Sequence, residues 1–209
     1  MSNLSTLITK DLKDEIVSDY NRLRVYMGMD NEPIPQINFV SDNINEEACF
    51  KLGSCFFDKL KLSFKEFIVT SKGIISIFTD SVIATCRYLL KSYNLNRIMP
   101  LARKLIKYVA IHELTHHLQM KNGLTVGENT EEEIENMCVE STRDFIRQNY
   151  RQDKIMNKLV ELDLCRLNDM FGDLDQTDER INDMTKREIM KCIAALIDAE
   201  YPEDEKKDE

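Results

Sequence analysis

The stretch Leu105-Ile-Lys-Tyr-Val-Ala-Ile-His112-Glu113-Leu-Thr-His116-His-Leu118 joins an apolar run to two histidines four residues apart. On a helix, residues i and i+4 share a face, so the imidazoles of His112 and His116 can bind one metal ion. Glu113 points away from that pair, and its carboxylate can reach a water on the metal without displacing a ligand. The stretch predicts a zinc-binding helix with Glu113 as general base.

The signals on either side predict where two helices begin and end. Pro100 suits the first turn of the motif helix, which we expect to run to Asn122 and to stop at Gly123. Thr130 and Glu133 form a capping-box pattern, which predicts the start of the next helix. That helix is amphipathic and is expected to pack against the motif helix.

A catalytic zinc ion usually has three protein ligands and leaves a fourth position to water. A third histidine is excluded, because Gln119 and Asn122 occupy the positions where the metzincin pattern has glycine and histidine, and His117 is adjacent to His116. We expect His117 to lie behind the ligands or at the surface. The third ligand is therefore expected to be a carboxylate.

The helix after Thr130 supplies the candidate carboxylates, which are Glu131, Glu132, Glu133, Glu135 and Glu140. Its inner face is defined by Ile134, Cys138, Ser141 and Phe145. Glu131 and Glu135 flank this face, whereas Glu132 and Glu140 point largely to solvent. Helical geometry thus leaves Glu135 and Glu131 as candidates for the third ligand, and Glu140 lies in a less favourable register.

The segment Ile134-Glu-Asn-Met-Cys138, with Ser141, Thr142 and the pair Phe145-Ile146, resembles the second signature of the ImmA/IrrE-type zinc metallopeptidases. The similarity covers about residues 1–146 and includes the order of helix, strand, hairpin and motif helix. It implies that Glu135 is the third zinc ligand, which makes the chain a gluzincin. Members of this family typically cut transcriptional repressors, which implies a protein or peptide substrate.

The chemistry expected of this set is hydrolysis of a peptide bond by a metal-activated water. Glu113 would take a proton from the water and pass it to the leaving amine. The tetrahedral intermediate requires a further electrophile, for which Tyr150 and Arg143 are weak candidates. The rival hypotheses are a catalytically inactive zinc-binding interaction domain and a metal-free helical interaction protein.

The rest of the chain predicts an α+β fold, with a small β-sheet and hairpin packed on a zincin-like helical core. Apolar periodicity predicts a helix over 4–27 that ends at Gly28, and alternation predicts a strand over 36–40. Two β-branched runs around the turn 71–73 predict a hairpin over 64–78, and the stretch 46–62 is ambiguous.

Three segments are expected along the chain. Residues 1–150 are interpreted as the metallopeptidase domain. Residues 151–202 are interpreted as a helical extension packed on it, built from two helices broken near 172–178. Residues 203–209 are predicted to be a disordered acidic tail.

Composition and charge narrow the function classes. A net charge of −9 repels phosphate backbones and anionic lipids, so no direct nucleic-acid or membrane partner is expected. The amino-terminal residues lack the pattern of a signal peptide, and a cytoplasmic location is expected. The six cysteines include no C-x-x-C pair, which favours free buried thiols over disulfides or a zinc ribbon.

Overall fold

Six α-helices and two β-strands form the part of the chain that the computed structural model describes, which is residues 7–40, 74–90, 93–123, 129–171 and 186–202. They are α1 (Lys10–Tyr26), β1 (Gln36–Val40), β2 (Ile74–Phe78), α2 (Thr79–Leu89), α3 (Leu95–Lys121), α4 (Glu131–Asn149), α5 (Lys154–Phe171) and α6 (Lys186–Glu200). This mostly helical architecture with a small sheet agrees with the predicted α+β class. A zincin-like core remains a prediction.

Among the described residues the sheet consists of β1 and β2, which pair in parallel with Gln36 opposite Ile74 and Val40 opposite Phe78. The predicted strand over 36–40 is confirmed. Of the predicted hairpin, only the second arm falls on described residues, where it forms β2. Its first arm and turn, together with the ambiguous stretch 46–62, lie outside them.

The motif helix α3 begins earlier than the sequence predicted. Asn94 caps it, and its side-chain oxygen accepts a hydrogen bond from the Arg97 amide at 3.2 Å. Pro100 therefore lies inside the helix rather than in its first turn. Asparagine is a strong N-cap, and a proline near the helix start removes only one backbone hydrogen bond. The predicted end is confirmed by Gly123, whose φ of +92° is left-handed.

Helix α1 begins at Lys10, within the range predicted for it, and residues 4–6 of that range lie outside the described residues. Thr9 caps it by accepting a hydrogen bond from the Leu12 amide at 3.3 Å, and this cap marks its start. Its expected end is confirmed by the left-handed Gly28, with a φ of +71°. A polar side chain that binds the backbone fixes a helix start more sharply than apolar periodicity does.

The capping box at the start of α4 is confirmed. The Glu133 amide donates to Thr130 Oγ1 at 3.1 Å, and the Thr130 amide donates to Glu133 Oε2 at 2.7 Å. Both bonds satisfy backbone donors that a helix start leaves without intrahelical partners. The register of α4 is thereby fixed one turn before Glu135.

Helix α3 lies at the centre of the core and packs against α1, α2, α4, α5, α6 and β2. The two carboxyl-terminal helices contribute to the same apolar cluster, through Ile155, Met156, Leu159, Val160, Leu162, Ile189, Ile193 and Ile197. As a result, the helices after residue 150 share one interior with the motif helix. The acidic segment 203–209 lies outside the described residues.

Two further features of the described residues concern their cysteines and the character of their helices. Cys86, Cys138, Cys165 and Cys192 are free thiols, and the first two are buried. None of the helices in the described ranges combines the length and the apolar character needed to cross a bilayer.

Candidate metal centre

The two motif histidines lie one turn apart in the second half of α3. Their ring centroids are 4.8 Å apart with an interplanar angle of 81°. The His112 side chain is fully buried, whereas the His116 side chain is 13% exposed. The apolar residues before them anchor α3 in the core and leave one edge of this pair near solvent.

Glu135 brings its carboxylate to this histidine pair from α4. Glu135 Oε2 lies 3.8 Å from His112 Nε2, and Glu135 Oε1 lies 3.4 Å from His116 Nε2. Two ligands bound tetrahedrally to zinc at about 2.0–2.1 Å are separated by about 3.3–3.4 Å. The distance from Glu135 to His116 matches such an edge, and the distance from Glu135 to His112 is somewhat longer.

The other carboxylates considered as ligands are placed differently. Glu140 is exposed on α4, and Glu133 is engaged in the capping box. Glu132 is half-buried. The side chain of Glu131 lies outside the described residues. Of the carboxylates on α4, Glu135 is the one whose described side chain approaches both histidines.

The general-base candidate Glu113 is fully buried on α3. Burial, and after it the charges of Glu135, Glu113 and Asp163, raise the pKa of the Cys138 thiol. Carboxylates from three different helices therefore act on the same thiol. A concentration of negative charge in the protein interior favours a cation.

Two side-chain hydrogen bonds join α4 to α3 beneath the histidines. The Cys138 thiol donates to the His112 carbonyl oxygen at 3.3 Å, and Thr142 Oγ1 donates to Thr115 Oγ1 at 3.2 Å. Thr115 in turn donates to the Ile111 carbonyl at 2.8 Å. These hydrogen bonds help fix the position of α4 relative to α3, the two helices that carry the candidate ligands.

Cys138 adds a donor that sequence reasoning treated only as a small inward-facing residue. The ligand atoms of His112, His116 and Cys138 lie within 4.8 Å of one another, so this group can hold a metal ion. Burial, followed by the charges of Glu135, Glu113 and Asp163, raises the pKa of the thiol well above its ordinary value. Its sequence signal was its position three residues after Glu135, on the same helical face.

Asp163 on α5 is the second residue that the sequence analysis missed. Asp163 Oδ2 lies 3.6 Å from His112 Nδ1 and accepts a hydrogen bond from the Tyr108 hydroxyl at 2.6 Å. A carboxylate behind the non-ligating nitrogen of a histidine sets its tautomer and orients the ring towards a metal. The signal was an acid on the buried stripe that contains Leu159, Val160 and Leu162.

Changing Asp163 to Asn is expected to weaken zinc binding by about 10–100-fold, because the amide holds the imidazole of His112 less strongly than a carboxylate does. Competition with a chromophoric chelator measures this affinity. Glu161→Gln is the matched control, since Glu161 lies on the same helix and pairs with Lys158 at 2.5 Å. Equal zinc affinity in Asp163→Asn and Glu161→Gln would contradict the orienting role.

His117 lies away from the candidate ligands. It is buried, which corrects the expectation that it could lie at the surface, and its Nε2 is 3.7 Å from Glu32 Oε1. The pKa of His117 is lowered, chiefly by burial, and the charge of Glu32 acts in the opposite direction. His117 thus helps attach the segment after α1 to α3.

Neither candidate for the additional electrophile lies at the histidine pair. Tyr150 follows Glu135 by fifteen residues, which at 1.5 Å per residue places it about 22 Å along the helix axis. Its hydroxyl donates to Asp19 Oδ1 and accepts from Arg22 at 3.1 Å. Arg143 contacts Asp144 at 3.2 Å. The geometry assigns Tyr150 to a polar cluster with α1 instead.

No protein-family model matches this chain, and the searches of curated proteins and of solved structures returned no significant match.

Proposed function

We propose that this protein is a zinc-dependent metallopeptidase of the gluzincin type, with His112, His116 and Glu135 as zinc ligands and Glu113 as general base. The observation that carries the proposal is the approach of the Glu135 carboxylate to the Nε2 atoms of both histidines, at 3.8 and 3.4 Å. Two imidazoles and one carboxylate that converge in this way form a ligand set that zinc can use.

The donor chemistry supports zinc as the ion. Imidazole nitrogens suit zinc, and two histidines with one glutamate form a known catalytic ligand set that leaves one coordination position open. Asp163 supports the assignment, because its contact with His112 Nδ1 directs Nε2 of the same ring towards Glu135.

Zinc bound here would polarise a peptide carbonyl and lower the pKa of its water to about 7. Glu113 would remove a proton from that water and deliver it to the departing amine. Glu113 is completely buried next to the first proposed ligand, which keeps its carboxylate out of bulk water. Asp163 would hold His112 in place while the charges at the site change.

The proposed substrate is a protein or peptide. The resemblance of α4 to the second ImmA/IrrE signature points to a regulatory protein such as a transcriptional repressor. The net charge of −9 favours a protein partner over direct contact with nucleic acid.

Zinc stoichiometry tests this proposal directly. Purified protein, or protein reconstituted with zinc and then desalted, is expected to retain about one zinc per chain by elemental analysis. Removing the metal with a chelator is expected to lower the melting temperature, because a ligand that binds only the folded state stabilises it. A chain that retains no zinc after reconstitution would refute the proposal.

A catalytically inactive zinc-binding interaction domain is the second candidate. It is favoured by the thiol of Cys138 beside the histidines, because structural zinc sites are closed by protein ligands that include cysteine. This candidate requires zinc but not Glu113. The effect of changing Glu113 on peptide cleavage therefore separates the two.

A further inference from the structure

Cys138 is the cysteine that groups with the two candidate histidines among the described residues. Its ligand atom lies within 4.8 Å of those of His112 and His116. It is fully buried, and its hydrogen bond to the His112 carbonyl at 3.3 Å holds it at the interior side of the histidine pair.

The four potential donors differ in how deeply they are buried. His112 and Cys138 are fully buried, whereas His116 and Glu135 are each 13% exposed. Because Cys138 follows Glu135 by three residues on α4, both side chains lie on the face that packs against α3. The helices α3 and α4 therefore supply two donors each. The resulting four donors are the number needed for a tetrahedral site without water.

We propose that Cys138 is a fourth protein ligand of the metal in the resting state, which makes the site a closed His112, His116, Glu135 and Cys138 centre. This inference rests on the proposed metal site and adds regulation to it. The Cys138 sulfur would occupy the position that water needs for hydrolysis. Peptide cleavage would then require this thiolate to leave the metal, so the enzyme is latent until it does.

The coordination step is balanced within the site. On binding a divalent ion, the thiol loses its proton to solvent, as cysteine ligands do. The sulfur gives up its hydrogen bond to the His112 carbonyl when that proton leaves. Only a small shift is needed, because the sulfur already lies within 4.8 Å of the ligand atoms of both imidazoles. A soft sulfur donor predicts preference for thiophilic divalent ions such as Zn²⁺ and Cd²⁺ over Mg²⁺ or Mn²⁺.

Cobalt(II) substitution tests the proposal without relying on activity. Co²⁺ can occupy tetrahedral zinc sites, where it gives visible d–d absorption bands. A thiolate ligand adds a sulfur-to-metal charge-transfer band in the near ultraviolet. The full-length protein loaded with one equivalent of Co²⁺ is expected to show both. Cys138→Ser should keep the d–d bands and lose the charge-transfer band.

Cys86→Ser provides the matched control, because Cys86 is also a buried free thiol and lies on α2. It is expected to retain both spectral features. Cys138→Ala is a second variant that removes the side-chain donor altogether. It should behave like Cys138→Ser, which excludes replacement of the sulfur by a serine oxygen.

The outcomes separate this inference from the proposed function. Visible d–d bands without a charge-transfer band in the wild type would overturn Cys138 as a ligand and leave the histidine and glutamate site intact. A charge-transfer band that persists in Cys138→Ser would also overturn it. Failure to bind either cobalt or zinc would refute the metal site itself, and the Cys138 assignment with it.

Discussion

Glu135→Gln is expected to weaken zinc binding by more than about 100-fold. Groups that merely hold a ligand in position change metal affinity by about 10–100-fold, so loss of an anionic ligand should have a larger effect. The amide keeps the size of the side chain but lacks the negative charge that approaches both histidines at 3.8 and 3.4 Å. Zinc affinity is measured by chelator competition and bound metal by elemental analysis.

Two matched variants on α4 give this experiment its specificity. Glu140→Gln removes an exposed carboxylate from the same helix and is expected to leave zinc binding unchanged. Glu131→Gln tests the alternative that helical geometry left open. If Glu131→Gln loses zinc and Glu135→Gln retains it, the third ligand is Glu131 and the assignment to Glu135 is wrong.

The core of this candidate site could be predicted because its signals are local. The spacing of His112 and His116 places two imidazoles on one face of any helix that contains them. The capping box at Thr130 fixes the start of α4, and this start determines which way Glu135 points. The structure agrees with both local signals, and with them the approach of Glu135 to the histidines follows from packing two helices.

The residues that were missed depend on long-range packing. Asp163 reaches His112 because α5 packs against α3. No local sequence pattern specifies which amphipathic helices pack against each other. Cys138 was recognised as inward-facing, but its distance to the imidazoles depends on how closely α3 and α4 approach. The carboxyl-terminal helices were expected to be an extension, yet α5 supplies a side chain to the candidate site.

The error at the start of α3 has a local origin instead. Pro100 predicted the first turn of this helix, but the residue that caps it, Asn94, lies six residues earlier. Thr9 and Asn94 determine the observed starts by accepting backbone hydrogen bonds at 3.3 and 3.2 Å. The parallel pairing of β1 with β2 could not be predicted either, since it joins strands far apart in sequence.

Glu113→Gln is expected to retain zinc and to lower peptide hydrolysis by about 10²–10⁴-fold, the usual contribution of a general base. The amide keeps the shape of the buried side chain but cannot accept a proton from water. Cleavage is measured with a fluorogenic peptide library, alongside zinc content and melting temperature. Glu140→Gln serves again as the control, because its carboxylate is exposed on another helix.

The pattern of results also decides between the two zinc-dependent functions. Loss of cleavage in Glu113→Gln at unchanged zinc content supports hydrolysis, because binding alone has no use for a base beside the metal. Equal and measurable cleavage with and without Glu113→Gln, in the wild type or in the Cys138→Ser background, would remove Glu113 from the mechanism. If zinc-loaded wild type and zinc-loaded Cys138→Ser both fail to cleave any peptide in the library, the non-catalytic interaction domain becomes the better explanation. The Cys138 variant is essential to that conclusion, because a site closed by a thiolate would hide an intact base.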